Sequence, residues 1–87
     1  MPKYKVVVEN GIKFFFKYDD DAPDLLHIFA RHLTSIDDAL DVFFDCEATW
    51  NEAHMRFESY SKSHGIYWFW INETERKVMI ISCFRLL

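Results

Sequence analysis

Three polar side chains at alternate positions near residue 58 could together carry out acid–base chemistry on a phosphodiester. Arg56, Glu58 and Tyr60 project from one face of a predicted strand, and Arg85 ends the last predicted strand. An arginine for phosphate, a glutamate or histidine for proton transfer and a tyrosine as donor suffice for RNA cleavage without a metal. The same residue types also suit an ordinary solvated sheet face, and the pattern leaves both interpretations open.

The first predicted helix carries a second group of polar residues. His27 and Arg31 are four residues apart and share a face, with Asp24 about one turn earlier. This group could bind a substrate or could form a solvated helix face. His32 lies beside the apolar stripe of the helix, where it could act as a general acid or base or serve as a structural histidine.

Neither a metal site nor a cofactor is predicted. The spacing of the four histidines and Cys46 matches no compact ligand motif, and the chain has no glycine-rich phosphate loop or nucleophile elbow. Two cysteines do not make a disulfide framework, so free thiols in a reducing compartment are expected.

Composition predicts one small globular domain spanning residues 1–87, with 51% hydrophobic residues and only two glycines and two prolines. The net charge of −4 argues mildly against simple phosphate-driven binding of nucleic acid. Residues 1–50 hold ten acids against five Lys/Arg, whereas residues 51–87 hold four acids against five. No apolar run is long enough to span a bilayer or resembles a signal peptide, so we expect a cytoplasmic protein without membrane contact.

The first half of the chain predicts a hairpin followed by two helices. Strands over 4–8 and 12–18 flank Asn10-Gly11, a strong hairpin signal. Ile12, Phe14, Phe16 and Tyr18 share one face of the second strand. A helix is predicted over 23–33, and a second helix runs to about residue 44 after a capping box formed by Ser35 and Asp38.

The second half predicts a polar loop over 45–53 and then three strands, at about 55–62, 66–71 and 77–84. In the last strand, uninterrupted alternation places Val78, Ile80 and Phe84 on one face and Met79, Ile81 and Cys83 on the other. The predicted fold is therefore α+β, with two helices packed on an antiparallel sheet in the order ββααβββ.

This sheet has more apolar surface than two short helices can bury. The strands at 66–71 and 77–84 are apolar on both faces, whereas a half-exposed antiparallel sheet alternates apolar and polar residues. An exposed apolar patch usually marks an interaction site, and Trp and Tyr are common anchors. We therefore predict a partner-binding surface, for a homodimer or a cognate protein, formed by Tyr67, Trp68, Phe69 and Trp70. Alternatively, these strands are central and other segments of the chain cover them.

Several short motifs resemble the BrnT family of bacterial toxins, which are RelE-like ribonucleases of type II toxin–antitoxin systems. The resemblance covers about residues 16–85 and rests on these segments: Tyr18-Asp19-Asp20, Arg31-His32, Ile36 to Asp45, Arg56-Phe57, 66–71, Thr74-Glu75-Arg76 and Ile80-Ile81-Ser82. Within the second predicted helix, Ala39 to Phe43 follows the family's Ala-x-x-Val-Phe pattern.

The resemblance implies metal-independent mRNA cleavage and neutralisation by an antitoxin that masks the toxin. It places the catalytic set at Arg31, His32, Arg56, Glu75, Arg76 and Arg85. In that scheme Arg56 and Arg85 hold phosphate and His32 assists proton transfer. The alternative is a non-enzymatic interaction module, such as a degenerate toxin relative or an immunity-type protein, that binds a partner through the apolar sheet face.

Overall fold

Residues 2–87 are described by a computed structural model in which a six-stranded sheet carries two helices on one face. The elements, in chain order, are β1 (Tyr4–Glu9), β2 (Ile12–Lys17), α1 (His27–His32), α2 (Ile36–Asp45), β3 (Ala48–Asn51), β4 (Arg56–Tyr60), β5 (His64–Asn72) and β6 (Lys77–Arg85). The strand order across the sheet is β1-β2-β6-β5-β4-β3.

The α+β class with two helices on a sheet is confirmed, but the sheet differs from the predicted one in two respects. It is mixed, because β6 lies between β5 and β2 and runs parallel to β2. It also has an extra strand, since part of the predicted 45–53 loop is β3, which pairs with β4. The rings of Trp50 and Phe57 lie 4.9 Å apart, so this short strand gains an aromatic contact with its neighbour.

The predicted hairpin and its facing pattern are confirmed. Asn10 and Gly11 both have positive φ, at 51° and 76°, as the favoured two-residue hairpin turn requires. The three apolar residues that alternate along β2 (Ile12, Phe14 and Phe16) are all buried. The hairpin therefore turns this set towards the helices and leaves Phe15 on the opposite face.

Helix α1 is shorter than predicted because the residues after β2 form a hydrogen-bonded loop. Tyr18 forms an isolated antiparallel bridge with Leu26, and the Asp19 N–H donates to the Leu25 carbonyl over 2.8 Å. The Asp19 carboxylate also accepts hydrogen bonds from the backbone N–H groups of Asp21 and Ala22, each at 3.0 Å. These local bonds fix a loop over 19–25, so the helix begins only at His27.

The two helices are fixed at their junction. Ser35 and Asp38 form the predicted capping box at the start of α2. The buried Thr34 hydroxyl lies 3.0 Å from the Ile28 carbonyl and 2.8 Å from the Cys83 carbonyl, so it connects the end of α1 to β6. This junction holds both helices over the same face of the sheet.

A β-bulge at Ile81 exchanges the two faces of β6 part-way along the strand. Tyr67 is opposite Ser82, but the next residue, Trp68, is opposite Ile80, so Ile81 is an extra residue. Cys83 is therefore in the core with Val78 and Ile80. The predicted grouping of Phe84 with those two residues is wrong, because it assumed alternation without a bulge.

The core lies between the sheet and the two helices and combines aliphatic side chains with a cluster of aromatic rings. The Phe14 ring meets Phe43 edge-on, with centroids 4.9 Å apart, and Phe43 meets Trp68 at 4.8 Å. Phe57 stacks on the other side of Trp68 at 4.5 Å. The indole N–H of Trp68 donates to the buried Ser59 hydroxyl over 3.2 Å, which satisfies its polar group within the core.

Candidate functional site

The sheet face turned away from the helices, called the open face below, carries a row of apolar side chains across four strands. The register places Val6 opposite Phe15, Phe15 opposite Met79, and Met79 opposite Phe69. Val6 is 47% exposed and the other three are partly exposed. Ile81, brought out by the bulge, is exposed as well. Val6, Phe15, Met79 and Phe69 are called the apolar row below; they form a continuous apolar surface that runs from the edge strand β1 across β2 and β6 to β5.

A compact polar cluster borders the apolar row on β4 and β5. Glu58 accepts hydrogen bonds from Arg56 Nε at 3.0 Å, from Asn51 Nδ2 at 2.8 Å and from the Tyr60 hydroxyl at 2.9 Å. The Arg56 guanidinium carbon lies 3.6 Å from the centre of the Tyr67 ring, a cation–π contact. This Arg56 cluster (Asn51, Arg56, Glu58, Tyr60 and Tyr67) confirms that the residues alternating along β4 share one face.

The hydrogen bonds of the Arg56 cluster set its protonation states. The bonds from Asn51, Tyr60 and Arg56 lower the pKa of Glu58, so this carboxylate is ionised at neutral pH. Desolvation of the phenol and its bond to Glu58 raise the pKa of Tyr60 to about 12, so this hydroxyl keeps its proton. Since catalytic pKa values generally lie near the operating pH, the cluster favours fixed hydrogen bonding over proton transfer.

Arg85, the second predicted phosphate ligand, lies on the other side of the sheet from Arg56. Glu58, Tyr67 and Ser82 are register partners on the open face, and Arg85 lies three residues beyond Ser82. The register partner of Arg85 is His64, whose ring reaches Asp38 of α2 at 3.9 Å. The predicted pair of arginines therefore does not face one phosphate position.

Glu75 and Arg76 lie at the opposite end of β6 from Arg85. Arg85 comes nine residues after Arg76 along β6, which corresponds to about 30 Å of extended strand. Glu75 accepts a hydrogen bond from Asn72 and pairs with Lys77 at 2.8 Å, and its pKa is lowered mainly by Lys77. Arg76 has a positive φ of 56°, and its carbonyl accepts the Lys13 N–H. Both residues thus form the β5–β6 turn.

Arg31 belongs to a separate ion-pair cluster that joins α1 to the loop preceding it. Its Nε donates to the buried Asp19 carboxylate over 2.9 Å, and its terminal nitrogen pairs with Asp21. His27 Nδ1 also lies 3.3 Å from Asp19. The predicted helix-face group of His27 and Arg31 is thus brought together, but Asp19 takes the place expected for Asp24. An acid eight residues before the helix was not recognisable as its partner from helical spacing.

His32 lies near the end of β6 and is separated from the Arg56 cluster by Phe84. The Phe84 ring is 6.3 Å from the His32 ring and 4.8 Å from the Tyr67 ring. Desolvation, followed by the charges of His27 and Arg31, lowers the pKa of His32. The imidazole is therefore neutral at neutral pH, a state that favours a structural role or a base over an acid.

The four residues predicted to bind a partner are divided between the two faces. Tyr67 and Phe69 lie on the open face, whereas Trp68 is only 6% exposed and lies in the core beneath α2. Trp70 is partly buried against the core, contacts Trp68 on the helix side of the sheet, and lines a shallow cleft with Trp50 and Met55. Phe15, Met79 and Val6, which complete the apolar row, were missed because their alignment depends on non-local strand register.

Comparisons with protein-family models, with curated proteins and with solved structures find no match to this chain. No helix within residues 2–87 has the length and apolar character needed to cross a membrane. Over the same residues, no three His, Cys, Asp or Glu side chains are grouped so that they could hold a metal ion. Geometry and charge are therefore the basis for any functional assignment.

Proposed function

We propose that this chain is a protein-interaction domain that binds a cognate protein through the open face. The observation that carries the proposal is the apolar row, which is continuous across four strands and has no helix over it within residues 2–87. Contiguous exposed apolar surface of this kind usually marks an interaction site. The partner that fits it presents an apolar segment, with polar groups towards the rim.

Charge on the open face favours a protein over a nucleic acid as the occupant. Three of its four cations already have carboxylate partners: Lys17 with Asp20, Lys77 with Glu75, and Arg56 with Glu58. Lys13 has no ion pair within residues 2–87 and is the remaining cation. Because binding to phosphates depends on many uncompensated Lys and Arg side chains, this face offers little of the necessary charge.

The resemblance to the BrnT family supports the same proposal. Toxins of that family are neutralised by an antitoxin that masks them, and a relative without catalysis would keep such a partner surface. A partner seated on the apolar row would also cover the adjoining Arg56 cluster, because the row ends at Phe69 beside Tyr67. The interaction therefore does not depend on whether that cluster is catalytic.

Alanine at Phe69 tests this surface. Phe69→Ala is expected to weaken binding of the antitoxin-like partner that the resemblance implies by roughly 30-fold, the effect of losing an aromatic anchor. Co-expression followed by titration calorimetry of the purified proteins measures the change. Phe29→Ala is the matched control, because Phe29 is 48% exposed on α1, on the helix side. If Phe69→Ala binds as well as the parent while Phe29→Ala loses binding, the proposal is contradicted.

Metal-independent RNA cleavage is the second candidate function, and the Arg56 cluster is the observation that favours it. An arginine, a carboxylate and two phenols meet there on one accessible face. As a first step, this candidate requires a substrate phosphate to replace Glu58 as the partner of Arg56. His32, Glu75, Arg76 and Arg85 lie outside the cluster, so they would not take part directly.

Growth and RNA integrity in bacteria expressing the chain alone distinguish the two functions. If the chain is a ribonuclease, Arg56→Ala removes growth inhibition and transcript cleavage, with a loss of about 100-fold in rate for a lost phosphate contact. Arg85→Ala is the matched control and retains activity, because Arg85 lies on the other side of the sheet. A parent chain that neither slows growth nor cuts RNA would exclude this candidate and leave the interaction domain.

A further inference from the structure

Strand β1 forms one edge of the sheet, and its outer side is unpaired within residues 2–87. The strand is six residues long, straight enough to pair along its whole length with β2, and contains three consecutive valines. Val6 and Val8 are 47% and 62% exposed. An exposed apolar edge of this length is a template for another strand.

The hydrogen-bonding pattern shows which groups the edge presents. The Tyr18 N–H donates to the Lys3 carbonyl over 3.0 Å, so odd-numbered residues of β1 bond inward to β2. The N–H and C=O groups of Tyr4, Val6 and Val8 consequently point outward, away from β2. A second strand can therefore bond to this edge without disturbing the hairpin.

A second copy of the same strand fits this edge in one particular antiparallel register. If the two-fold axis passes beside Val7, Val6 of each copy lies opposite Val8 of the other, and both residues present outward hydrogen-bonding groups. The same register places Lys5 opposite Glu9 of the second copy, twice per pair. Lys5 and Glu9 are both exposed, and neither has an ion pair within residues 2–87. The edge is thus complementary to itself in both hydrogen bonding and charge.

The helix side of the edge adds apolar surface near the same axis. Val7 lines a groove of about 570 Å³ together with Phe29 of α1 and with Leu25 and Leu26, which immediately precede that helix. Leu25 and Phe29 are exposed in the single chain. Since Val7 lies at the centre of the proposed register, pairing through β1 would bring the grooves of the two copies to either side of the axis.

We propose that two copies of this chain form a symmetric dimer by pairing β1 with β1 in antiparallel orientation about Val7, with Lys5 of each copy opposite Glu9 of the other. The twelve strands then form one continuous sheet. The two apolar rows lie on the same face of that sheet, so the dimer presents a doubled open face. This dimer forms through the backbone edge of β1, whereas the partner site is the face of the sheet, and the dimer does not depend on that proposal.

Charge reversal at the edge tests both the dimer and its register. Sedimentation equilibrium of the full chain over a concentration series is expected to show a monomer–dimer equilibrium. Lys5→Glu and Glu9→Lys each place like charges opposite one another twice, and each should weaken dimerisation by about tenfold or more. The double variant Lys5→Glu/Glu9→Lys restores opposite charges and should return the dissociation constant close to that of the parent.

Matched variants separate this outcome from general effects of charge and folding. Lys62→Glu and Glu47→Lys change the same charges at exposed positions away from the edge and should leave the dimer intact. Val8→Pro removes an outward N–H while sparing the bonds to β2, and should abolish the dimer with the circular dichroism spectrum preserved. Val8→Ala keeps that N–H and should retain dimerisation.

Three results would overturn the proposal: a monomer at every concentration, a double variant as weak as the single ones, or a dimer that is insensitive to Val8→Pro. A foreign strand on this edge would produce the first result, with binding of that protein lost in Val8→Pro. Phe69→Ala should not affect the dimer, and the edge variants should not affect binding at the open face. Failure of one proposal is therefore distinguishable from failure of the other.

Discussion

Replacing Phe14 with alanine is expected to remove most of the free energy of unfolding of the chain. The Phe14 side chain is fully buried, and its ring meets Phe43 and Phe44 edge-on at 4.9 and 5.7 Å. Loss of a buried phenylalanine typically costs about 3–5 kcal/mol. Small domains are stable by only about 5–15 kcal/mol, and a chain of 87 residues belongs near the lower limit.

Urea denaturation followed by tryptophan fluorescence measures this loss, and Phe15→Ala is its matched control. Phe15 is the next residue of the same strand, but it lies on the open face and is only partly buried. Its truncation should reduce the free energy of unfolding much less. Equal losses for Phe14→Ala and Phe15→Ala would mean that both faces of the sheet are enclosed, and would count against the open face as a binding surface.

The contrast between these two phenylalanines was predictable from local pattern, because it depends on strand alternation and on the Asn10-Gly11 turn. Both are determined by residues adjacent in the sequence. The capping box at Ser35 and Asp38 belongs to the same category. Features of this kind are retained in the fold because tertiary packing is compatible with the local preference.

The arrangement of the sheet depends on long-range pairing, and there the prediction from sequence was incomplete. No short motif indicates that β6 inserts beside β2 in parallel, since the paired residues Phe16 and Ile80 are 64 positions apart. The start of α1 was also set from outside the helix, by the bonds that Asp19 makes to the following loop. Helical periodicity alone extended that helix by one turn too many.

The candidate site shows the same division. Alternation correctly places Arg56, Glu58 and Tyr60 on one face, and their mutual hydrogen bonds follow from that placement. Without the bulge at Ile81, alternation would also put Arg85 on that face, two residues beyond Cys83 and four beyond Ile81. One inserted residue reverses the faces of the strand, so the predicted pair of phosphate-binding arginines is separated.

Replacing Asp19 with asparagine is expected to destabilise the chain at neutral pH but to have a diminishing effect in acid. The Asp19 side chain is almost fully buried and accepts bonds from Arg31, from two backbone N–H groups and from His27. The bond from Arg31, with those from Asp21 and Ala22, lowers the pKa of this carboxyl against the opposing effect of burial. Asparagine keeps an acceptor oxygen but leaves Arg31 and the loop without the charge that orders them.

The sign of the pH dependence follows from the lowered pKa. The unfolded chain binds the Asp19 proton near pH 4, whereas the folded chain binds it only at lower pH, so ionisation favours folding. That contribution is complete above about pH 4 and is lost as the pH falls through the folded-state pKa. Other carboxyl groups with lowered pKa values, Asp38, Glu58 and Glu75, weaken the parent and the variant alike in acid.

The difference between the two urea midpoints therefore isolates Asp19. It should be constant between pH 7 and about pH 4, the ordinary range of an aspartate pKa, and shrink below that as the pH falls through the lowered pKa of the folded chain. Asp20→Asn is the matched control: its side chain is 80% exposed and its ion pair with Lys17 is a surface pair of little weight, so its midpoint should follow the parent at every pH. A difference for Asp19→Asn that stays constant across this range would mean that the loop depends on the shape of the side chain and not on its charge. Arg31 would then stabilise the loop only through its contacts and not through its charge. Helix α1 would be held in place by the Thr34 hydrogen bonds and by the core.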